Sequence, residues 1–338
     1  MEKKAEKIHD EDWLKNLPVM TEEIAFKPEE MVACSACQRT NPPTRVKCFY
    51  CGKELEISAE QFKRIKTNLR KLEAWEKGFN LIYTPNPSNF DEKSLGEIAK
   101  IVNLDTVTLE KICASQTALP LARVESEKEA VIIGERLKEF GFETLILSDE
   151  KLAANKMPQR LRGVEFWDDK LILVLFNTDE IVEIDVQDLV LMVFGTIFER
   201  RTSSIENRKK GENILLDSTE TASDEMLFDI YSHSDVEGFR VFVKGFDFST
   251  LEAEKGMTAN ENLKKLAEKL KSVAPNLKIV ENYASVRESL ASIWEAEEMK
   301  DSKGLTRQKF GKFNLENVTK VSNWTQFNKF SRLQRHIL

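Results

Sequence analysis

The sequence predicts an α+β chain, and three observations carry that prediction. Two Cys-x2-Cys pairs lie within 18 residues near the N-terminus, capping boxes open helical patterns among short β-rich runs up to residue 155, and β-rich segments follow one another between 161 and 248. A length of 338 residues with 41% hydrophobic and 32% charged side chains suits about two folded domains plus smaller pieces, and excludes a wholly disordered polymer. Fifty Lys and Arg against 57 Asp and Glu give a net charge of −7, which excludes a basic coat over the whole protein and leaves room only for a local basic patch.

Residues 1–30 carry nine acidic and five basic side chains with few large apolar groups, so a flexible leader is expected, pinned locally by Trp13, Leu14 and Leu17. It lacks the apolar stretch of a secretory signal. The longest apolar run, Leu189 to Phe198, is half of what a membrane-spanning helix needs, about 20 residues, and reads as a buried strand pair. No membrane span is expected. Five cysteines in a chain of this length do not make a secreted disulfide scaffold, so a reducing, cytoplasmic setting is expected.

Residues 31–55 contain Cys34-Ser-Ala-Cys37 and Cys48-Phe-Tyr-Cys51. Two residues between cysteines let the backbone curl until both sulfurs face one point, and Gly52 suits the positive φ that such a knuckle requires. Four thiolates so arranged can converge on one tetrahedral Zn²⁺. Two disulfides, a redox pair or a four-thiolate iron site use the same residues, but the matched spacing favours zinc in a structural role. Cys34, Cys37, Cys48 and Cys51 are therefore the expected ligands of one Zn²⁺. No His or carboxylate stands where a catalytic zinc would need it.

The stretch CSACQRTNPPTRVKCFYCGKEL, with Asn41 and Pro42-Pro43 after the first pair, resembles the short ribbons of the double-zinc-ribbon group. Its Cys-x2-Cys-x3-Asn-x6-Cys-x2-Cys spacing is also that of the Ran-binding-protein type of zinc finger. That resemblance implies a zinc ribbon and, in some members, binding of single-stranded RNA or ubiquitin. Met31-Val32-Ala33 replace the Trp expected before the first cysteine, which removes that family's stacking residue.

A helical connector is expected over 56–115. Ser58-Ala-Glu-Gln61 is a capping box, and Phe62, Ile65, Leu69, Leu72 and Trp75 recur at helical spacing, which predicts a helix over 58–77 ended by the Pro85-Asn-Pro87 turn. Two short helices follow from Asp91, and Cys113 sits on the apolar face of the second, where a buried, inert thiol is expected. Residues 116–155 read as a small α/β unit: a strand at Ala118–Val124, a helix capped by Ser126 with Ala130, Ile133, Leu137 and Phe140 inward and Gly141 at its end, and a strand at Glu143–Leu147. This split βαβ pattern resembles the small module at the C-terminus of the ribosomal stalk protein. No Gly-rich phosphate loop accompanies it.

Residues 160–275 read as an antiparallel strand-rich domain, a small sheet or partly closed barrel closed by the helix that Thr258-Ala-Asn-Glu261 caps. Asp168-Asp169 marks a hairpin turn, and polar residues 203–224 read as a linker between strand groups. Strands closed by one amphipathic helix resemble the pleckstrin-homology-like architecture. His233, beside Ser232, Ser234 and Asp235, reads as a turn rather than a catalytic set, and Asp247 as a turn cap. Residues 276–338 form a helical and basic aromatic segment, with a helix expected from Tyr283 to Met299 through Val286, Leu290, Ile293 and Trp294. The last 35 residues carry +6 against −13 for the rest. Arg307, Lys309, Lys312, Lys329, Arg332 and Arg335, interleaved with Phe310, Phe313, Trp324, Phe327 and Phe330, could meet a nucleic-acid backbone. Docking of this segment against the acidic body is the favoured expectation.

The reading that results is a non-enzymatic, zinc-stabilised adaptor or scaffold with an unidentified protein partner. The alternatives are RNA or single-stranded DNA binding through the ribbon and the basic segment, and an enzyme of unknown class in the strand-rich domain.

Overall fold

A computed structural model describes residues 30–56, 69–73, 76–86, 90–153, 156–178, 180–209, 212–235, 237–309 and 312–338, together with Phe26; side chains are described outside 207–214 and 303–313. The expected leader up to residue 25 and the expected helix over 58–68 lie outside the described residues. The fold is mixed α+β, as predicted. The chain divides into two compact units, residues 1–66 and 67–338.

In the first unit, β1 (Val32–Ala33) pairs antiparallel with β2 (Thr40–Asn41) around a core of Val32, Cys34, Cys48 and Leu55.

The second unit opens on residues 69–73, which are irregular, so the expected helix does not reach residue 77. Leu72 turns inward, a bidentate Arg70–Glu76 pair closes the turn, and Arg123 donates to the carbonyls of Glu73 and Glu76. β3 (Phe79–Tyr83), a strand within the stretch expected to be helical connector, follows. Next come α1 (Glu92–Val102) and α2 (Thr106–Ala114), then β4 (Leu119–Val124), α3 (Glu127–Glu139), β5 (Thr144–Ser148) and α4 (Asp149–Leu152). β3 lies between β4 and β5, antiparallel to both, and supplies the strand that splits the βαβ unit. Ser126 caps α3 by accepting from the Glu129 N–H, and Gly141, at φ +79°, carries the chain out of it.

β6 (Gln159–Trp167), β7 (Lys170–Leu175) and β8 (Ile181–Asp185) form a meander whose first turn is the Asp168-Asp169 hairpin. β9 (Leu189–Lys209) and β10 (Glu212–Ser232) form one long hairpin. This corrects two expectations: Leu189–Phe198 is part of one strand, not a strand pair, and 203–209 and 212–224 are paired strand rather than linker. Residues 215–224 are all exposed and, apart from Leu215, Leu216 and Ala222, polar, so no alternation of apolar and polar residues marks the outer half of the hairpin in sequence.

β11 (Phe239–Phe242), α5 (Ala259–Val273), β12 (Lys278–Val280) and α6 (Tyr283–Leu290) follow, then β13 (Glu297–Lys309), β14 (Lys312–Ser322) and α7 (Trp324–His336). The helix expected to reach Met299 ends at Leu290, because Trp294 is drawn inward and its indole N–H donates to Asn80 at 2.8 Å. The sheet runs β13-β14-β9-β10-β11-β6-β7-β8, with β12 beside β9. Two of its pairings, β11 with β6 and β12 with β9, are parallel. The sheet is antiparallel in its other pairings, as expected, but larger than the small sheet or partly closed barrel anticipated.

The inner half of β9 and β10 is buried on both faces. Leu191, Val193, Leu227 and Tyr231 join a core shared with the small α/β unit, α6 and α7, while Met192, Phe228 and Ile230 join one covered by α5. Gly195 allows the closest approach of α7, since a Cβ there would lie 2.4 Å from the Phe327 ring. Between β12 and β14, the edge of β9 is completed by a side chain. Asn323 accepts from the Phe198 N–H at 2.9 Å and donates to the Thr196 carbonyl at 3.1 Å.

α7 is held by a buried polar network. Arg240 donates to both oxygens of Asp229, at 2.6 and 2.9 Å, and to Asn328 Oδ1 at 2.8 Å, while the Ser331 hydroxyl donates to Asp229 Oδ2 at 2.7 Å. Arg240→Met strands the Asp229 carboxylate and is expected to destabilise the chain by about 3–5 kcal/mol in chemical denaturation. At Asp149, burial pushes the carboxyl up, but Arg123, Lys329 and Asn80 outweigh it and hold it below its usual range. Its contribution is thus complete above about pH 4 and is lost as the pH falls through the lowered value. Asp149→Asn is expected to flatten the acid limb of the stability profile in pH-dependent melts.

Candidate metal centre

The four cysteines of the first unit meet at one point. Their sulfurs all lie within 4.8 Å of one another, with Cys34–Cys51 and Cys37–Cys48 both at 3.6 Å. These separations suit four sulfurs around a single ion, for which Zn–S bonds of about 2.3 Å place the sulfurs about 3.8 Å apart, and none is a disulfide. Four thiolates can bind one metal ion here.

Two matching turns build the centre. The Gln38 N–H donates to the Cys34 carbonyl at 2.8 Å, and the Gly52 N–H donates to the Cys48 carbonyl at 2.9 Å. Both residues are left-handed, at φ +58° and +73°. Sequence reasoning identified Gly52 and missed its counterpart Gln38, a residue type that gives no such signal. Each turn is closed again at its first cysteine, by Cys34 N–H to Arg39 O at 3.0 Å and Cys48 N–H to Lys53 O at 2.8 Å, and Leu55 N–H to Val46 O at 2.9 Å extends the second.

Asn41 holds the second turn against the first. Fully buried, it donates to the Cys48 sulfur at 3.4 Å and to the Arg39 carbonyl at 2.9 Å, and accepts from the Phe49 N–H at 2.8 Å. Thiolate character is distributed unevenly over the set. Backbone N–H groups of Cys37 and Ala36 lower the Cys34 thiol; at Cys48, burial raises it, but the Cys51 and Tyr50 N–H groups and Asn41 together bring it down to about 6. The Lys53 N–H favours the Cys51 thiolate, yet desolvation and the three neighbouring sulfurs push Cys51 up to about 12. A bound cation removes this mutual repulsion, since it stabilises all four thiolates at once.

The tip of the second turn carries a feature that sequence reasoning missed. Phe49 and Tyr50, 68% and 53% exposed, stand edge to face with ring centres 5.5 Å apart. Arg39 lies 4.8 Å from the Tyr50 ring centre and Arg45 4.9 Å from that of Phe49. The available signal was two consecutive aromatics between ligands, where the turn leaves no core to enter.

The other sequence candidates do not gather. Lys329 is 12% exposed by side chain and lies 3.8 Å from Asp149; Arg332 is 4% exposed and donates to the Lys156 carbonyl at 3.1 Å. Arg335 donates to the Ser232 and His233 carbonyls at 3.0 and 3.3 Å. Lys329 and Arg332 are therefore withdrawn from any nucleic-acid surface, because α7 packs them inward. Arg307, Lys309 and Lys312 belong to the β13–β14 hairpin by backbone, and their side chains lie outside the described residues. His233 is exposed in a turn, Asp247 accepts from the Ser249 N–H at 2.9 Å, and burial pushes the Cys113 thiol up to about 11. No helix among the described residues is long and apolar enough to cross a membrane.

Comparison with family models, curated proteins and solved structures found no match to the chain.

Asn41→Ala leaves all four ligands but removes the donor to Cys48 and the acceptor for Phe49. It is expected to weaken metal affinity about 10–100-fold in competition with a chromophoric chelator.

Proposed function

We propose that the chain is a non-enzymatic adaptor whose first unit is a zinc ribbon, folded by one structural Zn²⁺ and recognising a protein partner. The observation that carries this reading is the closed set of four thiolates with an exposed aromatic pair at its tip. All-cysteine coordination leaves no open position for a substrate or water, which suits a structural ion, and thiolates select Zn²⁺ among the common divalent cations. A core of Val32, Cys34, Cys48 and Leu55 is too small to fold the ribbon without such an ion. A four-thiolate set binds a metal only when its cysteines are reduced, which supports a reducing, cytoplasmic setting.

A second reading is favoured by the Arg39–Tyr50 and Arg45–Phe49 contacts. Guanidinium and base both seek an aromatic face, so the same tip suits single-stranded RNA or DNA, with the ribbon's Lys47 and Lys53 close by in sequence.

Elemental analysis of the reduced chain is expected to give about one zinc per molecule. Affinity capture with the intact chain, with Cys34→Ser/Cys37→Ser and with Phe49→Ala/Tyr50→Ala is expected to lose the same protein partners in both variants, while the aromatic variant keeps its zinc. Retention of the same partners by all three forms refutes recognition through the ribbon. Saturable, salt-sensitive binding of a labelled uridine or thymidine oligonucleotide, lost in the aromatic variant, selects the second reading instead.

A further inference from the structure

The long strand β10 has two edges. One pairs with β9 over its whole length, whereas the other is covered by β11 only from Leu227 to Ile230. Among the described residues no strand lies against the second edge between 212 and 225, and every residue from 215 to 224 is exposed. The sheet's opposite edge, β13, bears Lys300 and Lys303 and has register shifts between Ser302 and Leu305 and between Arg307 and Lys309, features that discourage pairing. From Asp217 to Tyr231, β10 keeps an unbroken register with β9, and the whole strand has no Pro, Lys or Arg.

Two further observations define what fits there. The charged side chains of this stretch, Asp217, Glu220, Asp224 and Glu225, are all negative, and Glu220 pairs with Arg200 of β9 at 3.0 Å. Two such edges repel one another, so a second copy of β10 is a poor match and a cationic strand a good one. The chain itself shows the mode: just past the end of β11, the Val243 N–H donates to the Met226 carbonyl at 3.4 Å and Lys244 comes within 3.9 Å of Glu225. At the same point a cavity of about 210 Å³ opens, walled by Ile197, Phe242 and Trp324 with Ser223, Glu225 and Lys244 at its rim. It has an apolar wall and room for one side chain.

We infer that the free edge of β10 is a docking site for an extended, Lys- or Arg-bearing peptide segment of a partner protein, which adds as a strand in line with β11 and seats one apolar side chain in this cavity. Main-chain hydrogen bonds supply the affinity, while the acidic edge and the cavity select the sequence. The inference rests on β10 alone and is independent of what the ribbon recognises.

Fluorescence anisotropy with the full chain and the labelled peptide Lys-Val-Lys-Val-Lys-Val-Lys-Leu tests it. Saturable binding is expected, weakened about tenfold or more by Asp217→Lys/Asp224→Lys and lost when Pro replaces the central Val residues of the peptide. Glu135→Lys/Glu139→Lys, an equal charge change on the exposed face of α3, is expected to leave affinity within about twofold. Equal binding of the Pro peptide, equal weakening by the α3 variant, or no saturable binding up to about millimolar peptide overturns the proposal. Self-association in sedimentation that the Asp217→Lys/Asp224→Lys change abolishes also overturns it, by showing a second copy as the occupant.

Discussion

Asp229 and Arg240 face one another across β10 and β11 almost without access to water, and neither charge is tolerable there without the other. Asp229 Oδ2 and Arg240 Nη2 each take a further partner, and α7 supplies both, through Ser331 and Asn328. The position of α7 follows from that demand as much as from its apolar stripe of Phe327, Phe330 and Leu333. With α7 in place, Asn323 sits where it can close the gap in the edge of β9, and Tyr283 donates to Gln326 at 2.8 Å. β10, β11 and α7 thus meet at one buried charge pair.

The ribbon is stabilised by different physics. Its apolar core is a few side chains, and two of them are cysteines. The information in its sequence therefore goes into aiming sulfurs: two left-handed residues turn the backbone, and Asn41 braces one turn against the other. Since the interior is filled with ligand atoms, aromatic residues between the ligands have only the outside to occupy. Phe49 and Tyr50 are exposed for that reason, and Arg39 and Arg45 partly cover the faces that water would otherwise meet.

Basic residues at the C-terminus illustrate how charge composition differs from charge placement. Read along the chain, Lys329, Arg332 and Arg335 make a cationic helix. In the folded chain they are spent on Asp149, on the Lys156 carbonyl and on the carbonyls of Ser232 and His233. Lys329 also lies over the Trp294 ring and Arg332 over the Tyr231 ring, which helps a helix with so many polar residues lie in the core. The acidic edge of β10 is the converse case. Its charges are spread through 217–225, and pairing with β9 holds them along one extended edge.

The mixed α+β class, the four ligand cysteines, the capping of α3 and α5 and the Asp168-Asp169 hairpin were legible in sequence because each is set by residues a few positions apart. Ligand spacing, cap geometry and turn conformation are local, and local rules suffice for them. What the fold alone decided depends on neighbours distant along the chain. β3 became a central strand by lying between β4 and β5, residues 215–224 became strand through backbone pairing with no buried face to mark them, and the expected helix stopped at Leu290 because Asn80 offered Trp294 a partner. The pairings of β3 and the Trp294–Asn80 contact draw on residues tens to hundreds of positions away, so no short window of the sequence contains them.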